Sequence, residues 1–142
     1  MSKPQRLVYG EELAVLGKNN DRIVVLDSDC SSSTQSKHFA AAFPERFFNC
    51  GIAEANMASM AAGLASCGYI PFINAFALFI ALRCGDQMRA QIAYTGLPVK
   101  MIGGYAGLSD FADGASHQSV EDIAVMRAVP GITVIAPSDI TE

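Results

Sequence analysis

The chain has only two histidines and four cysteines, and neither type is spaced for a metal. No CxxC pair occurs, and His38 and His117 lie far apart, so a zinc site has little to build on. Cys30, Cys50, Cys67 and Cys84 therefore read as reduced core thiols of a cytoplasmic protein. A basic cluster is also missing. Lys and Arg number 10 against 14 Asp and Glu, for a net charge of −4, which removes the electrostatic footprint of a nucleic-acid binder. No apolar run reaches the roughly 18 residues of a membrane span, because Asn74, Arg83, Asp86 and Arg89 interrupt the richest region. The opening Met-Ser-Lys-Pro-Gln-Arg lacks the apolar stretch of a signal peptide. Gly103, Gly104 and Gly107 do not form GxGxxG, and no Walker A pattern occurs.

What remains is 142 residues, 51% apolar and 17% charged, a size and balance suited to one domain with a buried core. Short β-rich runs alternate with helical ones. Strands are expected at 23–26, 46–49, 70–74, 99–103 and 132–136, and helices at 10–17, 34–43, 54–66, 76–94 and 120–128. Such alternation predicts an α/β fold, a parallel sheet of about five to six strands with helices on both faces. The stretch 57–65 reads Met-Ala-Ser-Met-Ala-Ala-Gly-Leu-Ala, a helix without a polar face. It should be buried on more than one side, part of that burial coming from a partner subunit. Ser138 and Asp139, with Glu142 three residues beyond Asp139, form a capping box that announces a helix. The strand at 132–136 then lacks its covering helix, so residues 1–142 read as a domain without its last helix or strand, or one completed by a partner.

Ligands in an open parallel sheet gather beyond the carboxyl ends of the strands, and these ends carry distinctive groups. Asp27 to Thr34 is dense in carboxylates and hydroxyls. Gly51-Ile-Ala-Glu54 follows the second strand, Phe76, Phe79 and Arg83 follow the third, and Tyr105, Asp110, Asp113 and His117 follow the fourth. Each also has a plainer role. Glu54 suits a first-turn acid complementing a helix dipole, and Ser31 to Thr34 suit a cap or turn. Phe76 and Phe79 at i,i+3 suit a core, and His117 precedes Ser119-Val-Glu-Asp122, itself a capping box. Their joint order, more than any single residue, points to a site.

Several stretches in that order carry a family resemblance. They are Leu26-Asp-Ser-Asp-Cys-Ser-Ser-Ser-Thr34, Phe43-Pro-Glu-Arg-Phe-Phe-Asn-Cys-Gly-Ile-Ala-Glu-Ala-Asn-Met57, Phe76-Ala-Leu-Phe79 with Arg83, Asp86-Gln-Met-Arg89, Asp113-Gly-Ala-Ser-His-Gln118 and Glu121-Asp-Ile-Ala-Val-Met-Arg-Ala-Val-Pro130. From about residue 23 onward the chain resembles the pyrimidine-binding domain of transketolases, closest to the bacterial type split across two chains. The resemblance implies thiamine diphosphate as cofactor, its diphosphate held through Mg2+ or Ca2+ by a partner chain and its aminopyrimidine ring held here. It implies that Glu54 is the catalytic glutamate and hydrogen-bonds the ring nitrogen opposite the amino group. An apolar, water-poor pocket would suit a carboxyl that must hold and donate a proton. Phe76 and Phe79 would line the ring, Asp29 would lie near the thiazolium side, and Ile52 and Arg83 would complete the cofactor-binding set. Ser33 matches a phosphate contact, Asp113 a partner of a donor hydroxyl, and His117 a catalytic histidine near the reacting carbonyl. The implied reaction moves a two-carbon ketol unit from a ketose phosphate to an aldose phosphate.

The departures concern substrate. Tyr105 stands where related transketolases often have a substrate-binding histidine, and Asp110-Phe-Ala112 replaces a stretch that usually reads apolar-Gly-Glu. Gly85 stands where an aromatic is common and Ala55 where a glutamine is common. Loss of a cationic contact and gain of Asp110 should weaken phosphate recognition. The family's GDG with a downstream Asn, which holds metal and diphosphate, is absent from this sequence, as are the third, C-terminal domain and its basic substrate contact. The expected partner is thus a diphosphate-binding transketolase subunit, in a heterotetramer or with this chain as a homodimer, acting on sugars and not on nucleic acid or membrane. Enzymes resembling 1-deoxyxylulose-phosphate synthase or the β subunit of a 2-oxo acid dehydrogenase remain open, as does a truncated, non-catalytic regulatory partner.

Overall fold

The computed structural model describes residues 3–142. Four strands, β1 (Ile23–Asp27), β2 (Phe47–Asn49), β3 (Ile70–Phe76) and β4 (Lys100–Gly104), form one sheet in the order β2-β1-β3-β4. Every pairing is parallel; Asp27 lies opposite Asn49 on one side and Asn74 on the other. The two faces are read off β1 by alternation. Ile23 and Val25 join Leu13 and Phe39, from α1 (Gln5–Asn19) and α3 (Lys37–Ala42). Val24 and Leu26 join Met57, Ala58, Ala61, Ala62 and Ala65 of α4 (Glu54–Ser66), and Ile80 of α5 (Ala77–Arg83). A strand buried on both faces needs an unbroken apolar run, which Ile-Val-Val-Leu supplies.

The structure corrects the sequence reading at several points. The expected strand at 132–136 does not form among the described residues, leaving β4 at the sheet edge. Ile132 and Val134 still pack toward α7 (Asp122–Arg127), but Thr133 and Ile135 are exposed; only one face is covered, where a sheet strand here needs two. The helix expected at 34–43 divides into α2 (Ser31–Thr34) and α3 because Gln35 turns left-handed, at φ 66°. Ser36 Oγ, at 2.8 Å, and Thr34 Oγ1, at 3.2 Å, both donate to Asp27 Oδ2 and draw the chain onto the sheet. Gly10 of α1 permits this, since a side chain there would strike the Gln35 carbonyl. The helix expected at 76–94 starts one residue later and breaks into α5, a single turn α6 (Gly85–Gln87) and a π-helical segment, Met88–Ala93. Arg46 is not in a strand. It donates to the carbonyls of Gly17 (2.9 Å) and Asn20 (3.1 Å) and so closes the end of α1. The box at Ser119 is not made, because the Ser119 hydroxyl is buried without a partner. At Asp139 half of the box forms: its carboxylate accepts from the amides of Thr141 (2.7 Å) and Glu142 (3.2 Å), but the Glu142 carboxylate takes the Ser138 amide instead, and no helix follows among residues 138–142.

One face of α4 remains open. Asn56, Met60 and Gly63 are exposed in a line along the helix, as is Ser66 at its end, while the other positions are buried or half-buried. The cysteines are free but not uniformly core: Cys84 is buried, Cys30 and Cys50 half-buried, and Cys67 exposed. Burial, with the Asp27 charge beside it, pushes the Cys30 thiol up to about 12. Burial and the Glu54 charge do the same to Cys84, and Cys50 is raised by burial. No helix among the described residues is long and apolar enough to cross a membrane.

A Cβ at Gly103 would lie 2.9 Å from the Ala77 Cα, so Gly103→Ala should lower stability by about 1–3 kcal/mol in a denaturant melt. Gly63→Ala, with nothing within 4 Å of its Cβ, should raise it by up to about 1 kcal/mol. At pH 8 the three raised thiols stay protonated, and only thiolates alkylate. Iodoacetamide should therefore label Cys67 first, and the other three should react at comparable speed only after unfolding, as peptide mass mapping would show.

Candidate functional site

Parallel sheets bind ligands where the strand order reverses. Here that point lies between β1 and β3, since β2 follows β1 to one side and β3 lies on the other. Glu54 opens α4 just beyond the end of β2 and is 3% exposed. A first-turn acid that merely complemented the helix dipole would sit in water; this one does not. Its Oε1 accepts from Arg83 Nη1 at 2.7 Å, and the Arg83 guanidinium lies 3.8 Å from the centre of the Phe79 ring. Among the described residues no hydrogen bond reaches Oε2. Beneath it, the Cys84 thiol donates to the Glu54 carbonyl at 3.2 Å. The expected apolar wall of Phe76 and Phe79 thus carries the Arg83 cation as well.

Aromatic rings surround this pair. Phe76 and Phe79 stand 5.7 Å apart, and the His117 ring meets their edges at 5.4 and 5.2 Å. Ser116 Oγ holds His117 Nδ1 at 3.0 Å. Phe76 also stacks on Tyr105 at 4.9 Å, which links the ring cluster to a second feature. This is a cleft of about 300 Å3 lined by Arg6, Ser33, Phe76, Tyr105, Asp110 and Asp113, among others. Within it, Arg6 donates to the Tyr105 hydroxyl and, at 3.3 Å, to the Ser33 carbonyl.

The structure thus brings together Glu54, Phe76, Phe79, Arg83 and His117, and beside them Ser33, Tyr105 and Asp113. It does not bring in two of the expected residues. Asp29, in a left-handed conformation (φ 64°), is exposed and accepts from Asn49 Nδ2 at 3.0 Å, and Ile52 is 76% exposed. Both lie on the open rim. No trio of His, Cys, Asp or Glu among the described residues could hold a metal ion.

Sequence reasoning missed Arg6, which stands 27 residues from Ser33 and 99 from Tyr105 and belongs to no local motif. It also missed the support of the first loop. Asp27, fully buried, accepts from the Cys30 amide at 2.7 Å as well as from Ser36 and Thr34. Burial raises its carboxyl, and these hydrogen bonds pull the other way. Tyr9 donates to Asn74 Oδ1 at 2.5 Å, its hydroxyl raised by burial and by the Asp27 charge. Three donors on one buried acid fix the turn that presents Ser33. The available signal was a lone acid at the end of an all-apolar strand, followed by hydroxyl residues.

Comparison with known proteins gives a consistent answer. Residues 3–142 match the family described as transketolase, pyrimidine binding domain. A Methanocaldococcus jannaschii protein, named for its likeness to the C-terminal section of a transketolase, is 52% identical over 96% of this chain and 43% of its own length. The 6-deoxy-6-sulfo-D-fructose transketolase subunit of a Clostridium species is 42% identical over 94% of this chain and 42% of its own. This chain therefore spans less than half the length of these relatives. A split-gene transketolase solved as an inactive β4 tetramer is 50% identical, with a TM-score of 0.76 over 89% of this chain and 40% of that one.

Proposed function

This chain belongs to the transketolase pyrimidine-binding domain family, and on that premise we propose that it is the pyrimidine half of a thiamine diphosphate-dependent transketolase, completed by a separate diphosphate-binding subunit. The observation that carries this reading is Glu54. It is a carboxyl removed from water, with one oxygen tied to Arg83 and the other unclaimed, beside an aromatic cluster at the sheet's reversal point. That set fits an aminopyrimidine, which needs flat apolar contacts and one carboxyl at a ring nitrogen.

When bound, thiamine diphosphate supplies a carbanion centre and an electron sink for breaking the bond next to a ketose carbonyl. With the ring in place, Glu54 Oε2 would hold a proton toward a ring nitrogen, and Arg83 fixes the orientation of the carboxyl from the other oxygen. Phe76 and Phe79 exclude water from that contact, which strengthens it. His117, held at Nδ1 by Ser116, offers its other nitrogen to the substrate carbonyl. Arg6, Ser33, Tyr105 and Asp113 receive the far end of the sugar. Asp29 and Ile52, on the open rim, suit contact with the rest of the cofactor once the partner closes over it.

The partner chain supplies Mg2+ or Ca2+ and the diphosphate grip. The open line Asn56, Met60 and Gly63, continued by exposed Ile52, supports an interface along α4, in a heterotetramer or a homodimer. The inactive tetramer of the split-gene relative supports the view that this half alone is silent. Four free thiols support a cytoplasmic location. Residues 1–142 correspond to the pyrimidine-binding domain of a longer architecture.

Mixed with its diphosphate-binding subunit, thiamine diphosphate and Mg2+, the chain should transfer ketol units. Glu54→Gln should lose about 10²–10⁴-fold in kcat while still assembling, as read by coupled assay and size-exclusion chromatography. Undiminished turnover in that variant removes Glu54 from the chemistry. Without the second subunit the chain should show no turnover, and measurable activity there would overturn the two-chain reading.

A further inference from the structure

Asp27 is a buried acid with no part in the chemistry described above. Its side chain is fully out of water, and none of the ion pairs among the described residues includes it. Burying a carboxyl without a cation is costly, so its hydrogen bonds must offset that cost. All three donors come from one loop. Oδ1 accepts from the Cys30 amide at 2.7 Å, while Oδ2 accepts from Ser36 Oγ at 2.8 Å and Thr34 Oγ1 at 3.2 Å.

From these holds the geometry passes directly to Ser33. The Cys30 carbonyl accepts from the Ser33 amide at 2.9 Å, so Cys30 is pinned to Asp27 on its amide side and carries Ser33 on its carbonyl side. Thr34, next in the chain, is pinned to Asp27 by its hydroxyl. Ser33 thus lies between two residues tied to the same carboxyl, and it lines the cleft with Arg6 and Tyr105. The four-residue α2, ended by a left-handed Gln35, has too few internal hydrogen bonds to keep that place by itself. Helix α1 closes over the loop. Arg6 donates to the Ser33 carbonyl at 3.3 Å, and Tyr9, one turn on, donates to Asn74, the strand neighbour of Asp27.

We propose that Asp27 is a positioning residue for the substrate. Through the Cys30 amide and the Thr34 and Ser36 hydroxyls it sets where Ser33 meets the sugar, and it touches neither substrate nor cofactor itself. This deepens the transketolase reading above and rests on it. The test uses the reconstituted two-chain enzyme with thiamine diphosphate and Mg2+, hydroxypyruvate as ketol donor, and the better of D-ribose 5-phosphate and D-erythrose 4-phosphate as acceptor. Asp27→Ala should raise the acceptor KM about tenfold and leave kcat within about twofold. The KM for hydroxypyruvate, which has no far end of a sugar to bring to Ser33, should not move. In Asp27→Asn the amide oxygen still takes the Cys30 amide, and the NH2 group donates to the two hydroxyls, which turn to accept. That variant should bring the acceptor KM back to within about threefold of the wild type. Hydrogen exchange at the Cys30 and Ser33 amides should be faster in Asp27→Ala than in Asp27→Asn or the wild type. Should Asp27→Ala not fold, Ser36→Ala, which removes one donor, takes its place and should raise the acceptor KM about threefold. An unmoved acceptor KM, a hydroxypyruvate KM that rises with it, or an Asn variant as impaired as the Ala variant overturns the inference. So does faster exchange with an unchanged acceptor KM, which would give Asp27 to the fold alone. If the wild-type mixture transfers to neither acceptor, the transketolase reading itself fails and takes this inference with it.

Discussion

A carboxylate taken out of water must be answered by the residues around it, and at this crevice most of the architecture answers to Glu54. Only the Glu54 side of its ion pair is buried, the Arg83 side chain being 47% exposed. Without that cation a buried charge would stand uncompensated, so the placing of Arg83 is a structural requirement before it is a functional one. Arg83 ends α5, and α5 starts immediately where β3 stops, at the Phe76–Ala77 junction. That abrupt change from strand to helix brings Ala77 so near β4 that only glycine fits opposite it, at Gly103. The next residue, Cys84, holds the Glu54 carbonyl. Residues 83 and 84 thus grip the side chain and the backbone of the same acid, and their positions trace back to a glycine on the neighbouring strand.

How much of this could be read from sequence depends on how local each cause is. The strands β1 and β3 were legible because burial on both faces forces an apolar run. The site was found through position, since Glu54 lies where a helix opens beyond a strand end. Its Arg83 partner was foreseen only through family likeness, as a cofactor contact, because nothing in the spacing of 54 and 83 announces an ion pair. The division of the expected helices at Gln35 and Gly85 was not legible. The first arises from Asp27 pulling on Ser36 and Thr34 across the sheet, and the second lies beside the grip on Glu54. Both are tertiary demands that override a helical pattern. The failed strand at 132–136 has a similar cause: Ile132 and Val134 find cover while Thr133 and Ile135 stay exposed, so the run received one face where a strand buried in this sheet needs two.

The two halves of the crevice are built to different standards. Glu54 belongs to a helix packed on the sheet, with Met57, Ala58, Ala61 and Ala65 buried behind it. The segment from Tyr105 to Ser119 contains one turn of 3₁₀ helix, Gly114–Ser116, and closes on itself through the antiparallel Gly107–Ser119 bridge. Tyr105 begins it in a left-handed conformation, φ 57°, which a side chain with a Cβ adopts only under compulsion. The compulsion is visible on both sides of its ring, in the stack on Phe76 and in the contact with Arg6. Arg6 therefore does more than lend a positive charge to the cleft. It ties the first turn of α1 to the loop that lines the second cleft, while leaving α4 untouched. On the transketolase reading proposed above, exchange of residues in this loop would change which sugar is accepted while Glu54 stays on its packed helix.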